Sequence, residues 1–415
     1  MRRLRLRLPP GPLRSRNFRL LLACDVISMA GSSVAIVATP FALLAIGGSA
    51  TDVGFVATAS TLTLVAFLLL GGVVADRLPR HQVMLAANLL QALTQAASAA
   101  LVLTGHAEVW ELIALSAGRG VGMGFYFPAA AGLLPQTVPA DQRAQASAMD
   151  RIGRNGAVIG GSALGGLLVS AAGPGWGLAV DAVSFAVAGA LRTGMRFPAL
   201  PPPAAGGMLH DMRVGWRDFI SRRWLWVIVL EFACVVAVST ATTSVLGPLV
   251  ADAHYDGARS WGAILAAYAI GAVLGGMVML RFRPRRMLVA ASLAVPAFSV
   301  FLFTLAVPLA VPWVAAASLL AGGCLEVFSV NWATTMMQEI PPGMLSRLAA
   351  YDLLGSFALA PVGTAVAGPV ADAFGTSAVL TVGGILIVLL TVAVLSVPEV
   401  RHLRRQLPAQ PAEAA

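Results

Sequence analysis

A dozen apolar runs, each about as long as a bilayer crossing requires, follow one another along this chain with only short polar breaks between them. They cover residues 18–46, 53–75, 83–104, 109–134, 149–172 and 176–197, then 224–250, 261–280, 287–307, 313–337, 345–371 and 377–395. Inside hydrocarbon every backbone N–H and C=O must find its partner within the protein, so runs of this length are expected to be helices. The predicted class is an all-α membrane protein. Only 11% of the residues are charged, against about 25% in soluble domains, which is too little to cover a water-exposed surface.

The net charge of +9 would point to nucleic acid in a soluble protein, so the placement of the charge decides. All 28 basic residues are Arg. All but Arg119, Arg154 and Arg259 fall in segments on one side of the predicted spans, the side that the positive-inside rule assigns to the cytoplasm. Both termini are then expected in the cytoplasm. Basic charge spread over the loops of one membrane face excludes a nucleic-acid partner. The first apolar run is about twice the length of a signal-peptide core, so it is read as a first helix. Cys24, Cys234 and Cys324 each fall within a span, and no disulfide framework is expected.

Between Arg192 and Arg223 the hydrophobicity falls and Pro198, Pro201, Pro202, Pro203, Gly206 and Gly207 cluster, a linker composition. This divides the spans six and six: an arm (1–17), a bundle (18–197), a linker (198–223), a second bundle (224–397) and a tail (398–415). Residues 210–223 are predicted to form a short helix lying at the membrane surface. The two halves repeat each other. Gln136, Val138, Pro139, Asp150 and Gly153 match Gln338, Ile340, Pro341, Asp352 and Gly355 at a constant offset of 202, and Gly161 and Gly166 continue as Gly363 and Gly368. Paired repeats of this kind build many secondary transporters.

The layout resembles the major facilitator superfamily over essentially the whole chain. The stretch Gly71-Gly72-Val73-Val74-Ala75-Asp76-Arg77-Leu78-Pro79-Arg80 is similar to that family's signature between its second and third helices, with Pro79 where the family usually has Gly. Asn17-Phe18-Arg19-Leu20-Leu21, Gly173-Pro174-Gly175-Trp176 and Gly368-Pro369-Val370-Ala371-Asp372 resemble the drug and siderophore exporter branch, which includes macrolide efflux and enterobactin export proteins. Exporters usually carry a Gly-Pro pair in the fifth helix, which is absent here. The resemblance implies twelve transmembrane helices in two six-helix pseudo-repeats around a central cavity lined by helices one, four, seven and ten.

Ionisable groups at bilayer depth cost several kcal/mol unless they face water or a partner, so they are functional candidates. Asp25, Arg119, Glu231 and Glu326 lie well inside the first, fourth, seventh and tenth spans. Asp25, Glu231 and Glu326 are the predicted proton-coupling groups, because all five histidines fall in loops or the tail. Burial penalises a charged carboxylate and a nearby guanidinium favours it, so a movement that changes the distance to Arg119 can load or release a proton. The predicted cavity comprises Asp25, Arg119, Phe125, Tyr126, Glu231, Phe232, Glu326 and Trp332. Arg154, Asp150, Asp352 and Asp181 lie nearer helix ends, where capping or snorkelling accounts for them. Gly71, Asp76, Arg77 and Arg80 are predicted to gate, together with a close-packing row of Gly156, Gly160 and Gly165.

No phosphate loop, metal cluster or nucleophile triad is visible, so neither enzyme activity nor a cofactor is expected. The expected partners are a small-molecule substrate, protons and the lipid bilayer, with a monomer as the functional unit in a bacterial cytoplasmic membrane. Proton-coupled efflux of a hydrophobic or amphipathic molecule such as a drug, antibiotic or siderophore is the leading expectation. An importer of the same fold and a non-transporting receptor or scaffold remain alternatives. Acids among aromatics suit a cationic amphiphile, whereas a siderophore would depend mainly on Arg119.

Overall fold

The computed structural model describes residues 11–195, 197, 216–403 and 405, and among them every regular element is helical. The first half contains α1 (Arg16–Ala45), α2 (Ala50–Arg77), α3 (Arg80–Thr104), α4 (Val109–Thr137), α5 (Arg143–Ala172) and α6 (Pro174–Arg192). The second half contains α7 (Arg223–Ala241), α8 (Gly247–His254), α9 (Gly257–Arg281), α10 (Met287–Ala294), α11 (Ala297–Ala306), α12 (Val311–Glu339), α13 (Pro342–Phe357), α14 (Ala360–Phe374), α15 (Thr376–Ser396) and α16 (Pro398–His402).

Eleven of the helical segments are long and apolar enough to cross a membrane. The twelfth, α4, has the length, 29 residues, but its apolar run is diluted by Arg119, several glycines and two internal prolines. Three predicted spans are each built from two helices. A π-helical turn, Thr242–Leu246, joins α7 to α8, so that segment continues as far as His254. Pro296 separates α10 from α11, and Ala358 and Leu359 separate α13 from α14. The fifth span begins six residues before the predicted limit, at Arg143, and the sixth ends at Arg192 rather than at residue 197. Of the predicted surface helix at 210–223, residues 216–221 are helical and 210–215 lie outside the described residues, as do linker residues 198–215.

Local chemistry sets the ends. Ser49 and Asp52 form a reciprocal capping box at the start of α2, which satisfies two of its free N–H groups. Gly173 and Gly375 stand at φ 93° and 84°, a conformation that side-chain-bearing residues rarely adopt, and each turns the chain sharply into the next helix. The Glu399 carboxylate accepts a hydrogen bond from the Trp224 N–H at 3.0 Å, which ties the C-terminal segment to the first turn of α7.

Packing repeats with the sequence. Gly161 meets the Ala30 carbonyl on α1 and Gly363 meets the Ala237 carbonyl on α7, where an added Cβ would lie 2.5 Å from the oxygen in both cases. Gly120 backs onto Ser60 and Gly322 onto Tyr268 in the same way. Each pair is related by the offset of 202, so the two six-helix units share one set of backbone approaches.

Between the units, α2 packs on α14 and α5 on α9. Close glycine contacts mark both approaches at the end away from most of the arginines, where Arg259 lies. A Cβ at Gly166 would sit 2.6 Å from the Ala258 carbonyl, and one at Gly262 would sit 2.5 Å from that of Ser162. Gly368 abuts Ala50 and Thr51, while a Cβ at Gly54 would lie 3.0 Å from the Thr364 carbonyl. There Asp372 also accepts hydrogen bonds from the Thr51 hydroxyl at 2.5 Å and its N–H at 3.1 Å, and Thr58 donates to Thr364 at 3.0 Å.

Candidate functional site

Two adjoining cavities of about 340 and 460 Å³ lie between the units. They share Asp25, Leu64, Tyr126, Phe127, Arg154 and Phe357. The first extends along α1 past Ser32 to Leu43, toward the sealed end, and the second reaches Leu134, Pro135, Ser147 and Asp150, toward the arginine end. Pockets of a few hundred Å³ with mostly apolar walls suit drug-sized ligands.

Asp25, on α1, is buried and pairs with Arg192, the last residue of α6, at 2.9 Å. Tyr126 on α4 donates its hydroxyl hydrogen to the same carboxylate oxygen at 2.8 Å, and Arg192 donates to the Tyr126 oxygen at 2.9 Å. The guanidinium also stands 5.3 Å from the Tyr126 ring centre and 3.5 Å from the Met84 sulfur. By sequence Arg192 falls among the arginines assigned to the cytoplasmic side. It is 1% exposed, because α6 ends inside the bundle and the side chain folds back between α1, α3 and α4.

Arg119 does not face Asp25. Its Nε lies 3.9 Å from Asp181, a fully buried residue in the middle of α6 that also accepts from Gln95 at 2.6 Å and faces Ser32 at 3.4 Å. Asp181 is therefore not a helix-end residue, and the first unit holds two separate charge pairs where the sequence implied one. A third, Asp150 with Arg154 at 3.9 Å, joins residues one turn apart on α5.

The remaining candidates divide. Phe125 turns to Phe67 on α2, with ring centres 5.9 Å apart, while its neighbours Tyr126 and Phe127 line the cavities, because successive helical residues point about 100° apart. Glu231 is 1% exposed and takes a 3.1 Å hydrogen bond from Thr391 on α15; it borders neither large cavity. Glu326 pairs with Arg151 of α5, across the two units. Phe232 and Trp332 line a smaller third cavity of about 150 Å³.

Of the gating candidates, Gly71 lies against the backbone of Gly124 and Phe125. The Arg80 guanidinium lies over Gly132 and Arg77 is exposed, whereas the Asp76 side chain lies outside the described residues. Gly156 and Gly160 face open space, and Gly165 packs on Val34 within its own unit. The contact between units belongs to Gly166. Small-residue spacing is satisfied by more than one row on α5, and Gly156 and Gly160 of the predicted row lie on its open face.

Twelve long helical segments among the described residues, in two repeated units that enclose a charged cavity, define a membrane transporter of the major facilitator type. The chain belongs to the family of transmembrane secretion effectors, whose sequence profile matches residues 9–411. It is 27% identical over 402 residues to the multidrug efflux pump Tap of Mycolicibacterium fortuitum, covering 92% of this chain and 96% of that protein. It is 26% identical over 408 residues to the enterobactin exporter EntS of Escherichia coli strain K12, covering 94% of each. Among solved structures, the nucleoside transporter NupG superposes with a TM-score of 0.72 at 13% identity, over 92% of this chain and 98% of that one. A POT family transporter in complex with 5-aminolevulinic acid gives 0.73 at 9% identity, over 93% and 97%. These structures share the fold.

Proposed function

We propose that the protein exports a hydrophobic or amphipathic small molecule in exchange for protons, the two units (18–197 and 224–397) rocking about the central cavity. The observation that carries the reading is the cavity itself. Its apolar walls enclose Asp25 and Arg119, and the two units press together at the end away from most of the arginines. With that end taken as the outside, by the positive-inside rule, the conformation receives substrate from the cytoplasm, and both termini and the linker lie on the cytoplasmic side. The efflux functions carried by the names of Tap and EntS agree in direction.

For coupling, the Asp25 cluster is the favoured site. Its carboxylate touches the substrate cavity and a cation at once, so displacement of Arg192 or Tyr126 by substrate or by helix movement changes the stability of the charged form. Glu326, bridged to Arg151 of the other unit, is placed to sense the separation of the units. Glu231, sealed against Thr391, exchanges a proton with water only in a state that opens α7 from α15. Gly71 and Arg80 hold α2 and α3 against α4 at the cytoplasmic end, and a monomer contains the whole path. An accumulation screen in a bacterial strain lacking its own exporters tests direction: expression lowers the intracellular level of at least one drug or siderophore, whereas raised levels would establish import.

A further inference from the structure

Every carboxylate bordering the two large cavities has an arginine beside it: Asp25 has Arg192 and Asp150 has Arg154. Asp352, on α13, has none among the side chains the structure describes, which do not include that of Arg347. It receives a hydrogen bond from the Trp332 indole N–H at 3.0 Å on one oxygen and a long one, 3.4 Å, from the Ser356 hydroxyl on the other. Both oxygens keep accepting capacity. Unlike Glu231, Asp352 is only partly buried, and it borders the third cavity.

The repeat shows how this arose in chemical terms. At the offset of 202, Asp352 occupies the place of Asp150, Ser356 that of Arg154, Trp332 that of Ala130 and Phe328 that of Tyr126. The second unit keeps the acid, replaces its internal cation with a hydroxyl, and adds aromatic surface. Phe232 and Phe328 stack with ring centres 4.6 Å apart, and Trp332 lies nearly parallel to Phe328 at 6.3 Å. An uncompensated carboxylate beside aromatic faces is the arrangement that attracts an organic ammonium group. Leu353 and Phe357 form walls common to this cavity and the second large one, so a ligand lying in the central cavity reaches Asp352 sideways.

We infer that Asp352, Trp332 and Phe232 form a subsite for the cationic head of an amphipathic substrate, an alkylammonium or protonated amine, with the apolar body lying in the central cavity. The inference rests on the export reading above, but its test does not require transport. Phenyltrimethylammonium and its neutral counterpart of the same shape, tert-butylbenzene, are titrated into the full chain in lipid nanodiscs and followed by saturation-transfer NMR, with empty nanodiscs subtracted. The wild type prefers the cation. Asp352→Asn lowers the ratio of cation to neutral affinity by about tenfold, the equivalent of about 1.4 kcal/mol, and Asp352→Glu restores most of it. An unchanged ratio in Asp352→Asn overturns the subsite. So does an equal loss of both ligands, which would make Asp352 a support for the pocket's shape. A wild-type protein that exports nothing in the accumulation screen would defeat the export reading while leaving the affinity ratio to decide the subsite.

Discussion

Replacing Arg192 with Gln removes the cation from a pair that water barely reaches, Asp25 being 5% exposed and Arg192 1%. Breaking a buried ion pair from one side costs about 3–5 kcal/mol, since a charge remains without its partner. Tyr126 stays at 2.8 Å from the orphaned carboxylate and keeps a charge-assisted hydrogen bond, a contact worth about 1.5–3 kcal/mol, which holds the loss toward the lower end of that range. Adding Asp25→Asn takes away the unpaired charge, so the double variant is more stable than the two single losses predict. The assay is a double-mutant cycle on unfolding in mixed micelles of rising dodecyl sulfate content. A coupling energy of about 2 kcal/mol or more is expected, whereas additivity within about 0.5 kcal/mol refutes the pairing.

Gly161→Ala drives a methyl group against the Ala30 carbonyl and lowers stability by about 1–3 kcal/mol, while Gly156→Ala meets nothing and gains up to about 1 kcal/mol from helix propensity, both read in the same unfolding assay. Gly368→Leu cannot be accommodated against Ala50 and Thr51, so the sealed end opens, and a cysteine introduced at Ala258 becomes accessible to an impermeant thiol reagent several-fold faster than in the otherwise unaltered protein. In intact cells, a cysteine introduced at Ala204 resists the same reagent; its labelling would reverse the assigned orientation.

The spans were legible because hydrocarbon imposes a length and a composition on any helix that crosses it, and α1 to α4 follow the apolar runs to within a few residues at each end. The repeat was legible too, since paired glycines such as Gly161 and Gly363 meet matching carbonyls. The pairing of charges was not. Arg192 reads as a loop arginine because it ends a helix, and only three-dimensional packing reveals that it points inward. Asp181 pairs with Arg119 from a helix two places further along the chain, a partnership that spacing does not encode. The phase of a helix separates Phe125 from the cavity-lining Phe127, and Gly156 from Gly166, which meets the other unit: each pair shares a helix but not a face. Asp352 was set aside as a helix-end acid, although the repeat itself carried the signal, in the exchange of Arg154 for Ser356.

Coupling to protons is tested most directly in everted membrane vesicles containing the full chain, supplied with a drug drawn from the accumulation screen. With the vesicle interior made acidic, uptake of the drug should run against its gradient and release protons to the outside, and Asp25→Asn should abolish both while the protein remains folded and inserted. Drug uptake that ignores the proton gradient, or proton release that survives Asp25→Asn, would contradict the account.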